Sequence, residues 1–184
     1  MSLYTGKGDK GDTSFFGSTR RFSKHSLRVE ALGGLDEVNS LLGLCKVKAE
    51  TGKMRSVAEV LEGVQNDLFI IQAEVASYYA PKGTPVKRLS KKNIEAMESV
   101  IKGIEDRLDP IRSFTIAGGT ELAALLDYAR AVARRIERVA VALNSKEKVS
   151  AESLRYLNRL SSLLFALARF SNKKRGIKEK SPRY

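Results

Sequence analysis

Residues 118–145 read GGTELAALLDYARAVARRIERVAVALNS, and this stretch decides the fold. Its apolar residues recur every three or four positions, which is the spacing of one face of an α-helix. Thr120 is a residue type that caps helix N-termini, and Glu121 suits the positive end of the helix dipole. The predicted core-facing residues are Leu122, Leu125, Leu126, Ala129, Val132, Ala133, Ile136, Ala140 and Leu143. We therefore predict a helix that begins after the paired glycines and ends at Asn144-Ser145.

Four other segments show the same helical spacing, over about 26–49, 54–79, 90–108 and 150–173. Turn-forming residues separate them, and no segment shows the sustained two-residue alternation that is typical of a strand. Long helices joined by short connections favour an antiparallel bundle. We therefore expect an all-α fold, a five-helix antiparallel bundle of the ferritin-like kind, preceded by a glycine-rich N-terminal loop.

The chain has 184 residues, of which 42% are hydrophobic, enough for one full core and too few for two comfortable domains. We expect a single domain over 1–184, with an N-terminal loop at 1–25, a helical bundle at 26–173 and a basic tail at 174–184. The lone Cys45 has no partner for an intramolecular disulfide. Neither a signal-peptide pattern nor an apolar run long enough for a bilayer is present. These features favour a cytoplasmic protein with no membrane partner.

The formal net charge of +12 is concentrated at the two ends of the chain. Residues 1–28 contribute +4 and residues 172–184 contribute +5, which leaves +3 for the middle. This distribution favours a bound polyanion or a solvated basic tail over a uniformly basic surface. A helical nucleic-acid-binding protein is one alternative, but the sequence has no helix-turn-helix, RRM or zinc-finger pattern, so that function is disfavoured.

The N-terminal loop carries Gly6, Gly8 and Gly11 inside six positions. Glycines at this density let backbone N–H groups converge on one anion, as in a phosphate nest. Residues 6–11 fit the dinucleotide pattern G-x-G-x-x-G, but there is no room before them for the strand which that motif requires. They also approximate a P-loop, but Asp12 stands where the phosphate-binding lysine belongs. We reject both motifs.

A disordered N-terminus is the alternative interpretation of this segment. Tyr4, Phe15 and Phe16 argue against it. Aromatic side chains interleaved with glycines predict a segment that docks onto the bundle and brings its hydroxyl groups with it.

On the helix over 118–145, Arg130, Arg134 and Glu137 share one face beside the apolar stripe, with Arg138 at its edge. The arginines form two like-charged pairs four residues apart, and each pair destabilises a helix by roughly 0.2–0.5 kcal/mol unless an anion intervenes. The pattern predicts an anionic ligand. The alternative is a solvated basic face with Glu137 as its counter-ion.

The last helix has a second face beside its leucine stripe, formed by Asn158, Ser161 or Ser162, Phe165 and Arg169. Amide, hydroxyl and aromatic groups together are typical of a pocket for a polar, partly aromatic ligand. An ordinary helix boundary is the alternative.

On the first helix, Asp36 or Glu37 is a candidate to pair with an arginine across a helix or subunit interface. His25 has no second His or Cys at ligand spacing, so a histidine-based metal site is not supported. The Glu-x-x-His pattern of di-iron bundles is also absent.

Four motifs follow one another along nearly the whole chain. They are Tyr4-Thr5-x-x-Gly8-Asp9-Lys10-Gly11 followed by Thr13; Arg28-Val29-Glu30-Ala31-x-Gly33-x-x-Asp36-Glu37-x-Asn39-Ser40; Phe114-x-x-x-Gly118-Gly119-Thr120 with Arg130-x-x-x-Arg134-Arg135-x-Glu137-Arg138; and Asn158-Arg159-Leu160-Ser161 with Phe165 and Ala168-Arg169. Together they closely resemble the motifs of the PduO-type ATP:cob(I)alamin adenosyltransferases. Gly6 and Ala117 depart from that pattern, which usually has Lys or Arg at the first position and commonly Pro at the second.

The resemblance implies an enzyme that transfers the 5′-deoxyadenosyl group of ATP to a Co(I) corrinoid, with Mg2+ on the phosphates, giving adenosylcobalamin and triphosphate. It implies a bundle assembled as a homotrimer, with ATP and corrinoid bound at subunit interfaces. It also implies a reductase partner that supplies Co(I). A non-catalytic nucleotide sensor on the same fold is the alternative.

The resemblance also implies site residues. The ATP-binding set is Thr5, Gly8, Asp9, Gly11, Thr13, Lys24, Arg134, Glu137 and Asn158. The residues on the corrinoid side are Phe114 and Phe165, and the residues assigned to catalysis are Arg130, Arg134, Asp36 and Phe114. Arg130 is expected to pair with Asp36 of a neighbouring subunit. The glycine-rich loop is expected to be a lid that becomes ordered when ATP binds.

Overall fold

The structure is a computed structural model that describes residues 4–183. Its helices are α1 (Leu27–Thr51), α2 (Arg55–Ala76), α3 (Lys91–Glu105), α4 (Glu121–Asn144) and α5 (Ala151–Lys174). A short antiparallel ribbon of β1 (Asp12–Thr13) and β2 (Phe22–Ser23) precedes them. The predicted all-α fold of five helices is confirmed.

Helices α4 and α5 begin close to the predicted residues because each has a side-chain N-cap. The Thr120 hydroxyl accepts a hydrogen bond from the Ala123 N–H at 3.1 Å, and the Ser150 hydroxyl accepts one from the Ser153 N–H at 3.2 Å. The largest differences are at the ends of α2 and α3, which end at Ala76 and Glu105 and not near residues 79 and 108. The residues just beyond α2 are therefore free to contact the N-terminal loop.

The core lies between α4 and its neighbours. α4 packs on α1 and α5, α1 also packs on α2, and α5 also packs on α3. The fully buried side chains at these interfaces include Leu35, Leu61, Leu126, Ile136, Leu160 and Leu164. α1 and α4 approach closely at Gly34, where an added Cβ would lie 2.0 Å from Ile136 Cδ1. No helix within residues 4–183 is long and apolar enough to cross a membrane.

The sequence pattern did not predict β1 and β2, because two residues per strand are too few to show alternation. Asp12 pairs with Ser23, and Thr13 pairs with Phe22. The two strands place Lys24 directly after the ribbon, beside the glycine-rich turns.

The segment after β1 contacts the bundle through Phe15, which is only 7% exposed and has its ring centroid 6.2 Å from that of Tyr79, just beyond α2. The Phe15 ring also lies 4.6 Å from that of Phe22 in β2. Phe16 and Tyr4 remain 66% and 82% exposed.

Candidate functional site

Two clefts adjoin on the face shared by α4 and α5. The first, of about 390 Å3, is lined by Ile111, Ser113, Phe114, Thr115, Arg130, Arg134, Ser161, Ser162 and Phe165. The second, of about 320 Å3, is lined by Arg134, Glu137, Arg138, Val141 and Asn158. Arg134 lines both, so the clefts meet at its side chain. The fold thus brings together most of the residues singled out on α4 and α5, with Phe114 from the α3–α4 loop.

The first cleft has an apolar, aromatic side. Phe114 is 80% exposed, and Ile111 in the same loop is also exposed. On α5 the ring of Phe165 is flanked by Arg130 and Arg169, whose guanidinium carbons lie 5.9 and 6.0 Å from the ring centroid. Exposed aromatic surface beside arginines suits a large, partly apolar ligand.

The second cleft is polar, and the side-chain amide of Asn158 in it is oriented by two neighbouring residues. Asn158 Nδ2 donates to Glu137 Oε1 at 2.6 Å, and Arg159 Nη1 donates to Asn158 Oδ1 at 2.8 Å. Glu98 of α3 in turn accepts from Arg159 Nε at 2.8 Å. Arg159 and Glu98 were not predicted as part of the site, because neither lies on the ligand-facing side of its helix.

Arg134 is the free cation of the site. It is exposed, and its guanidinium forms no hydrogen bond or ion pair with any other residue in the described range 4–183. Its neighbour Arg138 donates to the Arg134 carbonyl oxygen at 3.0 Å. An unpaired guanidinium at the junction of a polar and an apolar cleft is suited to bind phosphate.

The Arg130 guanidinium has a carboxylate nearby, but not all of its hydrogen-bond donors have a partner. Its Nε is buried without a hydrogen-bond partner, and Asp127 Oδ1 lies 3.8 Å away. Asp127 uses its other oxygen to accept from the Gly118 N–H at 2.9 Å. Within the described residues of a single chain, Arg130 therefore has no well-aligned carboxylate partner.

The Gly118-Gly119 turn sets where the Phe114 loop meets α4. Gly119 has a φ of +107°, and a Cβ there would lie 2.5 Å from Asn172 Oδ1. Asn172 ties the turn to α5, because its Nδ2 donates to the Gly118 carbonyl at 2.7 Å and its Oδ1 accepts from the Thr120 N–H at 2.8 Å. The sequence pattern gave no signal for Asn172 or Asp127, because both act on backbone groups of another segment.

The glycine-rich loop forms two tight turns. Gly6 and Gly11 have φ values of +67° and +80°, and the Gly11 N–H donates to the Gly8 carbonyl at 3.2 Å. Lys24 lies over these turns, with its Nζ donating to the Gly8 carbonyl at 2.7 Å. Gly8, Gly11 and Lys24 are thus brought together as expected for a single binding surface.

Arg21 is a loop residue that the sequence reasoning missed. Its guanidinium donates to Asp12 Oδ2 at 3.1 Å and to the Lys7 carbonyl at 2.6 Å. The hydrogen bonds from Arg21 lower the pKa of the Asp12 carboxyl below its usual value. Asp12, which ruled out a P-loop, is therefore a partner that holds the loop closed.

The loop and the α4–α5 clefts are not joined within one chain. Across residues 4–183, no hydrogen bond or ion pair links the loop members of the predicted ATP set to Arg134, Glu137 or Asn158. The loop members are Thr5, Gly8, Asp9, Gly11, Thr13 and Lys24. Thr5 and Asp9 are exposed, and Thr13 is half-buried in β1.

Asp36 is exposed on α1, and its carboxylate has no hydrogen bond or ion pair among residues 4–183. Its neighbour Glu37 pairs with Arg135 of α4 in the same chain. Of the two acids expected to meet an arginine, Glu37 does so across a helix interface, while Asp36 faces solvent.

The basic tail lies along the Phe114 loop. The Lys180 carbonyl accepts from the Ile116 N–H at 2.8 Å, and the Ser181 and Ser113 hydroxyls are 2.7 Å apart. Glu179 accepts from Arg169 Nε at 2.8 Å. The backbone of the tail is therefore bonded to the protein, and its lysines are exposed.

The described residues, 4–183, contain no cluster of three or more His, Cys, Asp or Glu that is able to hold a metal ion. His25 is exposed, with its Nδ1 2.6 Å from the Ser23 hydroxyl.

The chain is similar in sequence to proteins of known family. The profile of the cobalamin adenosyltransferase family matches residues 3–171. The chain is 41% identical over 169 residues to the corrinoid adenosyltransferase PduO of Citrobacter freundii, covering 92% of this chain and 49% of that protein. The chain thus spans about half the length of that relative. It is 37% identical to a corrinoid adenosyltransferase of Bacillus subtilis (strain 168), covering 96% of this chain and 90% of the relative.

The fold is also similar to solved structures. A variant of the PduO-type ATP:corrinoid adenosyltransferase from Lactobacillus reuteri, complexed with cobalamin and ATP, superposes with a TM-score of 0.93 at 30% identity. The match covers 99% of this chain and 97% of that one. A second variant of the Lactobacillus reuteri enzyme, complexed with ATP, gives a TM-score of 0.89 at 30% identity.

Proposed function

Because this chain belongs to the cobalamin adenosyltransferase family, we propose that it transfers the 5′-deoxyadenosyl group of ATP to a Co(I) corrinoid. The observation that carries the proposal is the unpaired Arg134 guanidinium, which stands where a polar cleft and an aromatic cleft meet. ATP needs a polar surface, and a corrinoid needs an aromatic one. A shared cation between them suits the triphosphate, which is the group that leaves.

The polar cleft and the N-terminal loop bind ATP in this proposal. Arg134, Glu137 and Asn158 act from α4 and α5, and Lys24 exchanges the Gly8 carbonyl for a phosphate oxygen. The other loop members of the ATP site are Thr5, Gly8, Asp9, Gly11 and Thr13. Mg2+ accompanies the phosphates, since it is commonly held by substrate phosphates with few protein ligands.

The chemistry is a displacement at carbon. The electron pair of Co(I) attacks the 5′-carbon of ATP, a cobalt–carbon bond forms, the carbon–oxygen bond breaks, and triphosphate leaves with the bonding electrons. The substrate supplies the nucleophile, so the protein supplies position and charge. Arg134 stabilises the leaving triphosphate, and Phe114 and Phe165 exclude water from the corrinoid.

A homotrimer completes the site. Asp36 and Arg130 each lack a good partner among the described residues of one chain, and a charge pair between subunits would satisfy both. The exposed stripe of α1 that carries Asp36 also exposes Leu44 and Val47, with exposed fractions of 60% and 55%. Tyr128 on α4 is 59% exposed. Apolar side chains around an unpaired acid favour a subunit interface, which would bring the loop of one copy to the clefts of another.

We further place the protein in the cytoplasm, where ATP is available and a lone buried thiol such as Cys45 stays reduced. Co(I) is strongly reducing, so a reductase is the expected partner that supplies it.

The test is to mix the protein with ATP, Mg2+ and chemically reduced corrinoid without oxygen and to follow the Co(I) absorbance. We expect its loss to depend on both ATP and protein. A reaction without protein measures the background. If ATP binds by calorimetry but no adenosylated product forms, the chain is a nucleotide sensor on this fold and the enzyme proposal fails.

A further inference from the structure

Tyr79 links the end of α2 to the N-terminal ribbon. Its ring centroid lies 4.6 Å from that of Phe22 and 6.2 Å from that of Phe15. The Arg20 guanidinium carbon lies 5.0 Å from the Phe22 ring centroid and 5.7 Å from that of Tyr79. Three aromatic rings and a cation therefore join the ribbon to the bundle.

The Tyr79 hydroxyl is itself fixed. It donates to Glu147 Oε1 at 3.0 Å, while the other oxygen, Oε2, accepts from Arg28 Nε at 2.5 Å. Arg28 is 2% exposed and also donates to the Val75 carbonyl. Burial and the hydrogen bond to Glu147 raise the pKa of Tyr79, so its hydroxyl remains a donor at neutral pH.

Glu147 belongs to the turn between α4 and α5, the two helices that carry Arg134 and Asn158. Lys24 follows directly after Phe22–Ser23 of β2. A continuous set of contacts therefore runs from the α4–α5 turn through Glu147, Tyr79 and Phe22 to the loop that carries Lys24.

We infer that Tyr79, held by Glu147, is a positioning residue for ATP, because it fixes the ribbon and the glycine turns on the bundle. This inference rests on the proposed function. Among the described residues, Tyr79 lines neither cleft and makes no ring contact with the corrinoid-side residues Phe114 and Phe165, so Tyr79 affects ATP and not corrinoid.

The test compares Tyr79→Ala and Tyr79→Phe with Phe69→Ala, which removes an exposed ring from within α2. Loss of the ring should raise KM for ATP by about tenfold, and loss of the hydroxyl alone by about threefold. KM for corrinoid and kcat should stay within about twofold, and Phe69→Ala should match the wild type. Residues 5–24 of Tyr79→Ala should also be cut faster by trypsin.

Glu147→Gln should raise KM for ATP at least as much as Tyr79→Phe does, because it also weakens the ion pair with Arg28, and the double variant should be no worse than Glu147→Gln alone. An unchanged KM for ATP in Tyr79→Ala, or an equal rise in both KM values, overturns the inference. If the wild type itself shows no turnover, the proposed function fails. The role of Tyr79 is then tested by the ATP affinity, measured by calorimetry, and by the rate of trypsin cleavage. Unchanged values of both in Tyr79→Ala then overturn the inference on their own.

Discussion

At the scale of single residues, Arg134 carries most of the functional argument. The spacing of Arg130, Arg134 and Glu137 predicted one polar face, and the structure places all three on the walls of two adjoining clefts. The spacing did not predict which arginine lacks a partner. That depends on Asp127, which lies near Arg130, and on the Arg134 carbonyl oxygen, which accepts from Arg138.

Arg134→Ala removes the free guanidinium from the site. Because it is proposed to stabilise the leaving triphosphate, we expect kcat to fall by about 10²–10³. Arg155→Ala removes an exposed arginine of α5 outside the clefts and should leave kcat unchanged. Steady-state kinetics and thermal unfolding of both variants check this. A near-normal kcat for Arg134→Ala would mean that the phosphate site lies elsewhere.

Cys45 gives a residue-level test of the core and of its pH dependence. Burial raises the pKa of this thiol to about 11. The folded state therefore favours the neutral thiol, and this contribution to stability is complete below the unfolded pKa, about 8.5. It is lost as the pH rises toward 11.

The measurement is the rate at which a thiol reagent labels Cys45, the only cysteine of the chain, at pH 8. We expect labelling of the native protein to be at least about 100-fold slower than in urea. Comparable rates in the two states would contradict the buried position.

At the scale of elements, the 3.6-residue period was enough to predict all five helices. It failed at the ribbon, because β1 and β2 have two residues each, and at the ends of α2 and α3. The helix residues Asn172 and Asp127, which bind the backbone of Gly118, were also beyond sequence reasoning. Asn172 acts on Gly118, 54 positions away in the chain, so no local pattern records the contact.

The closeness of α1 and α4 is tested at Gly34. A Cβ there would collide with Ile136, so Gly34→Ala should lower the free energy of unfolding by about 1–3 kcal/mol. Gly63→Ala on α2 meets open space and should raise it by about 0.5–1 kcal/mol, since alanine favours helix more than glycine does. Urea unfolding of both variants measures these two changes in the free energy of unfolding. Changes of the same sign would refute the predicted close approach.

At the scale of the whole molecule, the proposed homotrimer brings the loop of one copy to the clefts of another. Asp36→Ala should weaken the trimer, so light scattering should show smaller species at low protein concentration, and activity per chain should fall. Glu50→Ala, an exposed acid near the end of α1, is the matched control. A full-mass trimer with normal kinetics in Asp36→Ala would remove Asp36 from the interface.

The central claim is attack by a Co(I) corrinoid on the 5′-carbon of ATP. The direct measurement supplies ATP labelled with 13C at that carbon, together with Mg2+ and chemically reduced corrinoid, and analyses the products by mass spectrometry and 31P NMR. The account predicts labelled corrinoid and intact triphosphate in equal amounts. Release of ADP, AMP or pyrophosphate in place of triphosphate, or an unlabelled corrinoid, would contradict it.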